Sequence, residues 1–299
     1  MKKTATQHCS PVLASLQSKF ANAASTYDEA AVLAREVQMR LAERLDYVKL
    51  NPTRVADIGC ATGGGARELQ RRYPEAQTLA IDYAHEMLRL AQASGNSRSW
   101  LDKLIKRNHM PQPLQADAAA LPLPSTSLQL IWSNLVFHWL DDTAPVWKEF
   151  ARVLETGGLL TFSMLGPDTA KELRDAGAAI GITTPVRRFY DMHDIGDQLV
   201  ASGFGDPVMD VEYIHFTYKS ARTFLADQRH IGVRNALLGQ LGYADWRRVI
   251  RQWETMRNEA GLPLSFEIIY GSAWRAEPKK AADGRSIVQF HKERPGLRP

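Results

Sequence analysis

Three carboxylates, each placed where an apolar run gives way to a turn, carry the first chemistry this chain offers: Asp57, Asp82 and Asp117. Asp57 belongs to Val55-Ala56-Asp57-Ile58-Gly59-Cys60-Ala61-Thr62-Gly63, a short apolar strand that turns on glycine and opens a helix. Glycine permits positive φ and lets a ligand lie against bare backbone, and ligands of open α/β sheets bind at the carboxyl ends of the strands. The implied pocket is of nucleotide type. Gly59 to Gly64 comes close to the G-x-G-x-x-G spacing of dinucleotide sites, with Ala61 at the middle glycine. Asp82 ends Leu79-Ala80-Ile81-Asp82 at the offset of about twenty residues from which an acid grips ribose hydroxyls, and it serves a dinucleotide and S-adenosylmethionine equally. Asp57 opposes a pyrophosphate at the helix N-terminus, and Ala61 crowds it, so a cationic, phosphate-free ligand such as S-adenosylmethionine is favoured over a nicotinamide or flavin. Asp117, in Gln115-Ala116-Asp117-Ala118, can accept a hydrogen bond from an adenine amino group or cap a helix over Ala118 to Leu121. His138, in Leu135-Val136-Phe137-His138-Trp139, offers a general base or a packed, hydrogen-bonded histidine.

The elements that must hold these residues alternate. Strands are expected at 54–58, 77–81, 113–116, 128–133 and 158–164, with helices at 64–72, 84–93 and 143–154 between them. Such alternation implies a doubly wound, mostly parallel sheet of the Rossmann-like kind. Ala31, Leu33, Ala34, Val37, Leu41 and Leu45 recur at near-helical spacing, which places an amphipathic helix over 28–46, ahead of the first strand. Gly166-Pro167 changes the rhythm: helices at 168–179 and 191–202, a β-rich run at 208–218, mostly helix over 219–262, and a last β run at 265–274 closing the sheet as an antiparallel pair. The expected divisions are an N-terminal segment and helix, 1–50; a ligand-binding core, 51–165; a C-terminal sheet half with helical cap insertions, 166–262; a last strand, 263–275; and a flexible basic tail, 276–299. A helical insertion at the sheet edge is expected over 96–112.

Composition narrows the class. The 299 residues are 44% hydrophobic and 23% charged, with a net charge of +4, as in ordinary globular proteins. The two cysteines, Cys9 and Cys60, form neither a disulfide framework nor a metal pattern. Met1-Lys2-Lys3 is followed by polar residues rather than a signal-peptide core, and no window nears about eighteen apolar residues. A cytoplasmic protein without a metal or a membrane span is expected. Residues 219–299 hold 15 Lys or Arg against 8 Asp or Glu, a surplus suited to steering an acidic partner. Zinc spacings, basic-region heptads and ribonucleoprotein motifs are missing, so nucleic acid is not the expected partner.

With Asp57 to Gly63, Asp82 and Asp117 in order, the chain resembles the class I S-adenosylmethionine-dependent methyltransferases, whose fold has a seven-stranded sheet. More narrowly, it is similar to the family of malonyl-[acyl-carrier protein] O-methyltransferases of biotin synthesis, in Phe20-Ala21-Asn22-Ala23-Ala24-Ser25-Thr26-Tyr27-Asp28, in Ser133-Asn134-Leu135 with Trp139, and in Arg188-Phe189. The resemblance runs from about residue 20 to 274. Ala61 departs from it by replacing the usual middle glycine. It implies S-adenosyl-L-methionine as cofactor, S-adenosyl-L-homocysteine as product, no metal, and cofactor contacts from Asp57, Gly59, Cys60, Ala61, Gly63, Asp82, Tyr83, Met87, Asp117, Ala118 and Asn134. Tyr27 and Phe189 are implied to close the pocket over methyl donor and carboxylate.

The reaction implied is methyl transfer to the free carboxylate of a malonyl thioester on acyl carrier protein or coenzyme A, by a protein expected to be monomeric. That carboxylate is ionised at neutral pH, so orientation and water exclusion matter more than a base. A buried carboxylate needs a cradle; Arg188 is the first candidate, with Arg187, Arg234 and His215 behind it. Arg222, Arg229, Arg247, Arg248 and Arg251 are expected to form the face that meets the acidic carrier. Two alternatives keep the core: a quinone C-methyl or small-acid O-methyltransferase, and a cofactor-binding assembly factor without small-molecule methylation.

Overall fold

The computed structural model describes residues 11–95 and 110–277. The insertion expected over 96–112 lies almost wholly outside the described residues, as does the tail from 278 onward. Seven strands form one sheet: β1 (Arg54–Ile58), β2 (Gln77–Asp82), β3 (Gln112–Gln115), β4 (Leu128–Asn134), β5 (Leu154–Leu165), β6 (Phe204–Tyr218) and β7 (Leu262–Arg275). Their order is β3-β2-β1-β4-β5-β7-β6. The first five pair in parallel, while β7 runs antiparallel to both β5 and β6. The order reverses between β1 and β4, which is where such a sheet opens a crevice at its strand ends.

The side-chain period of two sorts residues to the two faces. Val55, Leu130, Trp132 and Leu159 join one core with helices α2 (Val32–Arg44) and α3 (Gly64–Arg72). Ala56, Ile58, Ile131, Leu160 and Phe162 join the other, against α5 (Ala144–Val153) and α7 (Met192–Ala201). Asp57 follows Val55 onto the first face, and it is this parity that brings a carboxylate into the crevice beneath α2. The second core is tightened by Phe137, whose ring meets Trp147, Phe150 and Phe162 edge-on at 4.7, 5.6 and 5.8 Å.

The remaining helices are α1 (Pro11–Ala30), α4 (His85–Gly95), α6 (Lys171–Ala178), α8 (Ala221–His230), α9 (Arg234–Leu238) and α10 (Tyr243–Glu254). The helix expected over 28–46 is two helices, interrupted at Ala31 (φ −78°, ψ 44°) and followed by a 3₁₀ turn at Leu45–Tyr47. Helix α1 went unread in the sequence because its run of Ala and Ser gives little apolar contrast to mark a face. The β runs at 208–218 and 265–274 are longer than expected, beginning at Phe204 and Leu262. Among the described residues, no helix is long and apolar enough to cross a membrane.

Candidate active site

The turn after β1 is held by conformations that leave room on one side. Gly59 has φ +72°, and a Cβ there would lie 2.2 Å from Val136 Cγ2, so glycine is required on steric grounds as well as conformational ones. Ala61 is also left-handed, at φ +45°, a conformation that costs a residue with a Cβ. Its amide is anchored by donating to Asp82 Oδ2 at 2.9 Å, while the other Asp82 oxygen accepts from Ala84 N at 2.8 Å. Thr62 donates to Asp28 Oδ1 at 2.6 Å, tying the turn to the end of α1. Cys60 is buried, and burial raises its thiol pKa well above the ordinary value.

Two cavities flank this turn and share Tyr27, Gly59, Ala61 and Asn134 in their walls. The larger, about 470 Å³, holds Asp57 with Arg35, Gln38 and Arg67. The smaller, about 130 Å³, holds Asp82, Tyr83, Met87, Asp117 and Ala118 against apolar neighbours. Asp57 is 2% exposed, and its Oδ2 has no hydrogen-bond partner. Burial, opposed by a hydrogen bond from the Ala66 amide, pushes its pKa up to about 7. An orphaned carboxylate oxygen in a cavity wall is the complement of a bound ammonium or sulfonium group. Asp82 is raised by burial as well, against hydrogen bonds from the Ala84, Ala61 and Tyr83 amides. No helix follows Asp117 over Ala118 to Leu121; its carboxylate instead holds a turn, accepting from Ala119 N at 2.9 Å, while also lining the smaller cavity.

A third cavity, about 610 Å³, opens on the other side of Tyr27. It shares Phe20, Leu135 and Trp139 with the smaller cavity and Ala31 and Ala34 with the larger. Tyr27 lines all three, and burial, with the charges of Asp82, Asp28 and Asp57 behind it, raises its phenol pKa, so it stays protonated. Asn134 is fixed from both ends, its amide donating to Ala34 O at 2.9 Å and its carbonyl accepting from Ser163 Oγ at 2.7 Å. Leu135 next to it is left-handed at φ +55°, held by its amide on Ser163 O at 3.0 Å. The inner wall of this third cavity is apolar but for Gln228, 5% exposed, and His138, whose Nδ1 is buried without a partner; a carboxylate, Asp227, also lines the cavity half-buried, its pKa raised by burial. Burial, and after it the Arg187 charge, lowers the His138 pKa well below the ordinary range. His215 and Lys219 lie on exposed parts of the lining.

The chain from 182 to 190 is without helix, and its neighbours point opposite ways. Arg187 braces the corner after β4, donating to the carbonyls of Trp139 and Leu140 and pairing with Asp141 at 2.9 Å. Arg188 is exposed and is not among the residues lining the three cavities. Phe189 packs behind the third cavity, edge-on to His138 at 5.4 Å and to Trp139 at 6.1 Å. His215 reaches the third cavity with its Nδ1 2.9 Å from Ser265 Oγ, whereas Arg234 lines a separate outer cleft. Sequence reasoning missed Gln228, Lys219 and the Ala31–Ala34 wall, for which no local motif gives a signal.

A general methyltransferase domain family matches residues 56–162. The chain is 44% identical to a malonyl-[acyl-carrier protein] O-methyltransferase of Gallionella capsiferriformans, covering 92% of this chain and 94% of that protein. It is 45% identical to the Laribacter hongkongensis protein of the same name, over 94% and 96% of the two chains. The chain belongs to the malonyl-[acyl-carrier protein] O-methyltransferases. For this family member, a solved structure, the YcgJ protein of Bacillus subtilis, supports the fold, with a TM-score of 0.56 at 15% identity over 81% of this chain and 99% of that one. The methyltransferase match ends at Phe162, so the parts of the third cavity built from β6, α8 and α9 lie beyond the shared core of this O-methyltransferase.

Proposed function

We propose that this protein transfers a methyl group from S-adenosyl-L-methionine to the free carboxylate of malonyl-[acyl-carrier protein], giving the methyl ester early in biotin synthesis. The single observation that carries this reading is Tyr27 standing at the meeting point of three cavities, two around the glycine turn and one apolar pocket beyond it. Such a layout holds donor and acceptor on opposite sides of one side chain. The orphaned Asp57 oxygen and the clearance kept by Gly59 fit a cationic, close-lying donor. Asp82 and Asp117 in the smaller cavity would hold its adenosyl end, and Asp57, with Arg35 and Arg67 in the larger cavity, its zwitterionic amino-acid end. When bound, S-adenosylmethionine supplies a methyl group on positively charged sulfur.

Everything else falls to this chain's own residues. Tyr27, Leu135, Trp139 and Phe20 exclude water from the junction, Phe189 backs Trp139, and Asn134 fixes the corner on which Leu135 is presented. Water exclusion favours a transfer in which a negative carboxylate and a positive donor give two neutral products. Neutral His138 and Gln228 suit the acceptor better than an arginine would, because they hydrogen-bond the carboxylate without competing for its charge. Tyr27 keeps its proton and His138 stays neutral, so neither limits the rate by titrating near neutrality.

Two results are expected. With saturating donor, kcat stays level from about pH 6 to 9, while kcat/KM for the donor falls below about pH 7 as Asp57 is protonated. A steep kcat profile would instead favour a carbon or phenol acceptor that needs a base. Methyl-labelled donor tests the acceptor itself: a carboxyl methyl ester releases its label as methanol in mild base, and a base-resistant label would overturn the reading.

A further inference from the structure

Outside the three cavities, a cleft of about 410 Å³ lies between α1 and the turn joining α8 to α9. Lys19, Arg229, His230 and Arg234 converge on it, and its lining contains no carboxylate. Arg40, Arg44, Arg72, Arg152 and Arg187 all pair with acids, whereas no ion pair among the described residues involves these four. Positive charges gathered in a lining without a carboxylate concentrate a positive field in the concavity, with Asp227 acting on His230 from outside that lining. A compact anion with several oxygens would engage more than one of them at once.

The cleft backs onto the third cavity. Along one segment, Ile231 and Val233 line the cavity while His230, Gly232 and Arg234 line the cleft. On α1, Phe20, Tyr27 and Ala30 line the cavity while Lys19, Asn22 and Thr26 line the cleft. The wall between them is thin and closely packed: Thr26 Oγ1 donates to His230 O at 2.9 Å, and a Cβ on Gly232 would lie 2.9 Å from Lys19 O. From Thr26 in the cleft to Ala30 in the cavity is one turn of α1, a rise of about 5.4–6 Å.

We infer that this cleft is a phosphate-binding site for the 4′-phosphopantetheine arm on which the malonyl group is presented. The inference rests on the proposed malonyl thioester substrate. The arm's phosphodiester sits among Lys19, Arg229, His230 and Arg234, and its pantetheine portion passes over the edge formed by Thr26 and Ala30 into the third cavity. Carboxylates scattered over a carrier protein's surface match the exposed faces of α8 and α10 better than they match a concave cleft lined by Lys19, Arg229, Arg234 and a histidine.

The test compares malonyl-4′-phosphopantetheine with malonyl-pantetheine, which lacks the phosphate. In the wild type the phosphorylated thioester has the lower KM. In the double variant Lys19→Glu/Arg229→Glu that preference collapses by about 10- to 100-fold, the loss expected for charge-assisted contacts. An unchanged preference overturns the site. A loss seen with malonyl-[acyl-carrier protein] but not with malonyl-phosphopantetheine also overturns it, and assigns the cations to the carrier's acidic surface. A second measurement needs no turnover: the ³¹P resonance of 4′-phosphopantetheine broadens on titration with wild-type protein and not with the variant. Absent broadening with wild type contradicts the inference, whereas failure to methylate any malonyl thioester while broadening persists contradicts the proposed function alone.

Discussion

Asp57→Asn weakens binding of S-adenosylmethionine by about 10- to 100-fold, the range for losing a charged hydrogen-bond partner, while making the donor-free protein more stable above neutral pH. Both effects come from one buried oxygen. Asp57 is enclosed, its Oδ2 meets no donor, and its pKa stands at about 7 rather than in the ordinary carboxylate range. Between the unfolded value of about 3.9 and that folded value, the folded chain holds a proton that the unfolded chain releases. Stability therefore falls as pH rises through that window, and the full cost of the buried charge, on the order of 2–4 kcal/mol, is present above pH 7. Asparagine carries no charge and escapes this loss. Calorimetric titration with the donor, paired with thermal unfolding at pH 5 and pH 8, reads both effects. A variant that keeps donor affinity, or that is destabilised equally at the two pH values, would show that Asp57 serves packing alone. In the wild type, binding a positive donor lowers the Asp57 pKa, so a proton is released on binding near pH 6 to 7, visible as a dependence of the binding heat on the buffer.

The second large effect belongs to His138 and Gln228 in the wall of the third cavity. His138→Phe combined with Gln228→Leu raises KM for the malonyl substrate by about 100-fold, because each change removes a hydrogen bond to a charged group worth about 1.5 kcal/mol or more. Donor affinity stays as it was, since neither residue lines the two cavities around the glycine turn. Phenylalanine keeps a ring in contact with Trp139 and Phe189, so the corner retains its packing. His138→Gln restores a neutral donor and recovers most of the loss. If the histidine were a general base instead, His138→Gln would lower kcat as severely as His138→Phe and leave KM near the wild-type value.

The core of this molecule was legible because its signals are local. Asp57, Gly59 and Gly63 announce a strand, a turn and a helix within nine residues, and the alternation of elements up to residue 165 predicts the parallel strands that appear in the sheet. The acceptor pocket gave no such signal. Its walls come from the break between α1 and α2, the end of β6, α8 and the segment after it, elements brought together by tertiary packing and not by spacing. Arg187 and Arg188 show the limit most directly. Adjacent residues on an extended segment face opposite ways, and nothing in the pair itself says that Arg187 turns inward to carbonyls of the corner while Arg188 faces solvent. Helix α1 was hidden for the opposite reason, since its buried residues, Leu16, Ala23 and Ala24, are too few and too small to mark an apolar stripe.

The central claim is that a free carboxylate at the far end of a thioester receives the methyl group. Mass spectrometry of malonyl-[acyl-carrier protein] incubated with this protein and S-adenosylmethionine tests it most directly, with acetyl-[acyl-carrier protein] as the comparison that lacks the carboxylate. The expected result is a gain of one methyl group in place of hydrogen, about 14 Da, on the malonyl carrier, with none on the acetyl carrier, as an ionised acceptor requires. A gain on both carriers, or none on either from protein that binds the donor, would contradict it.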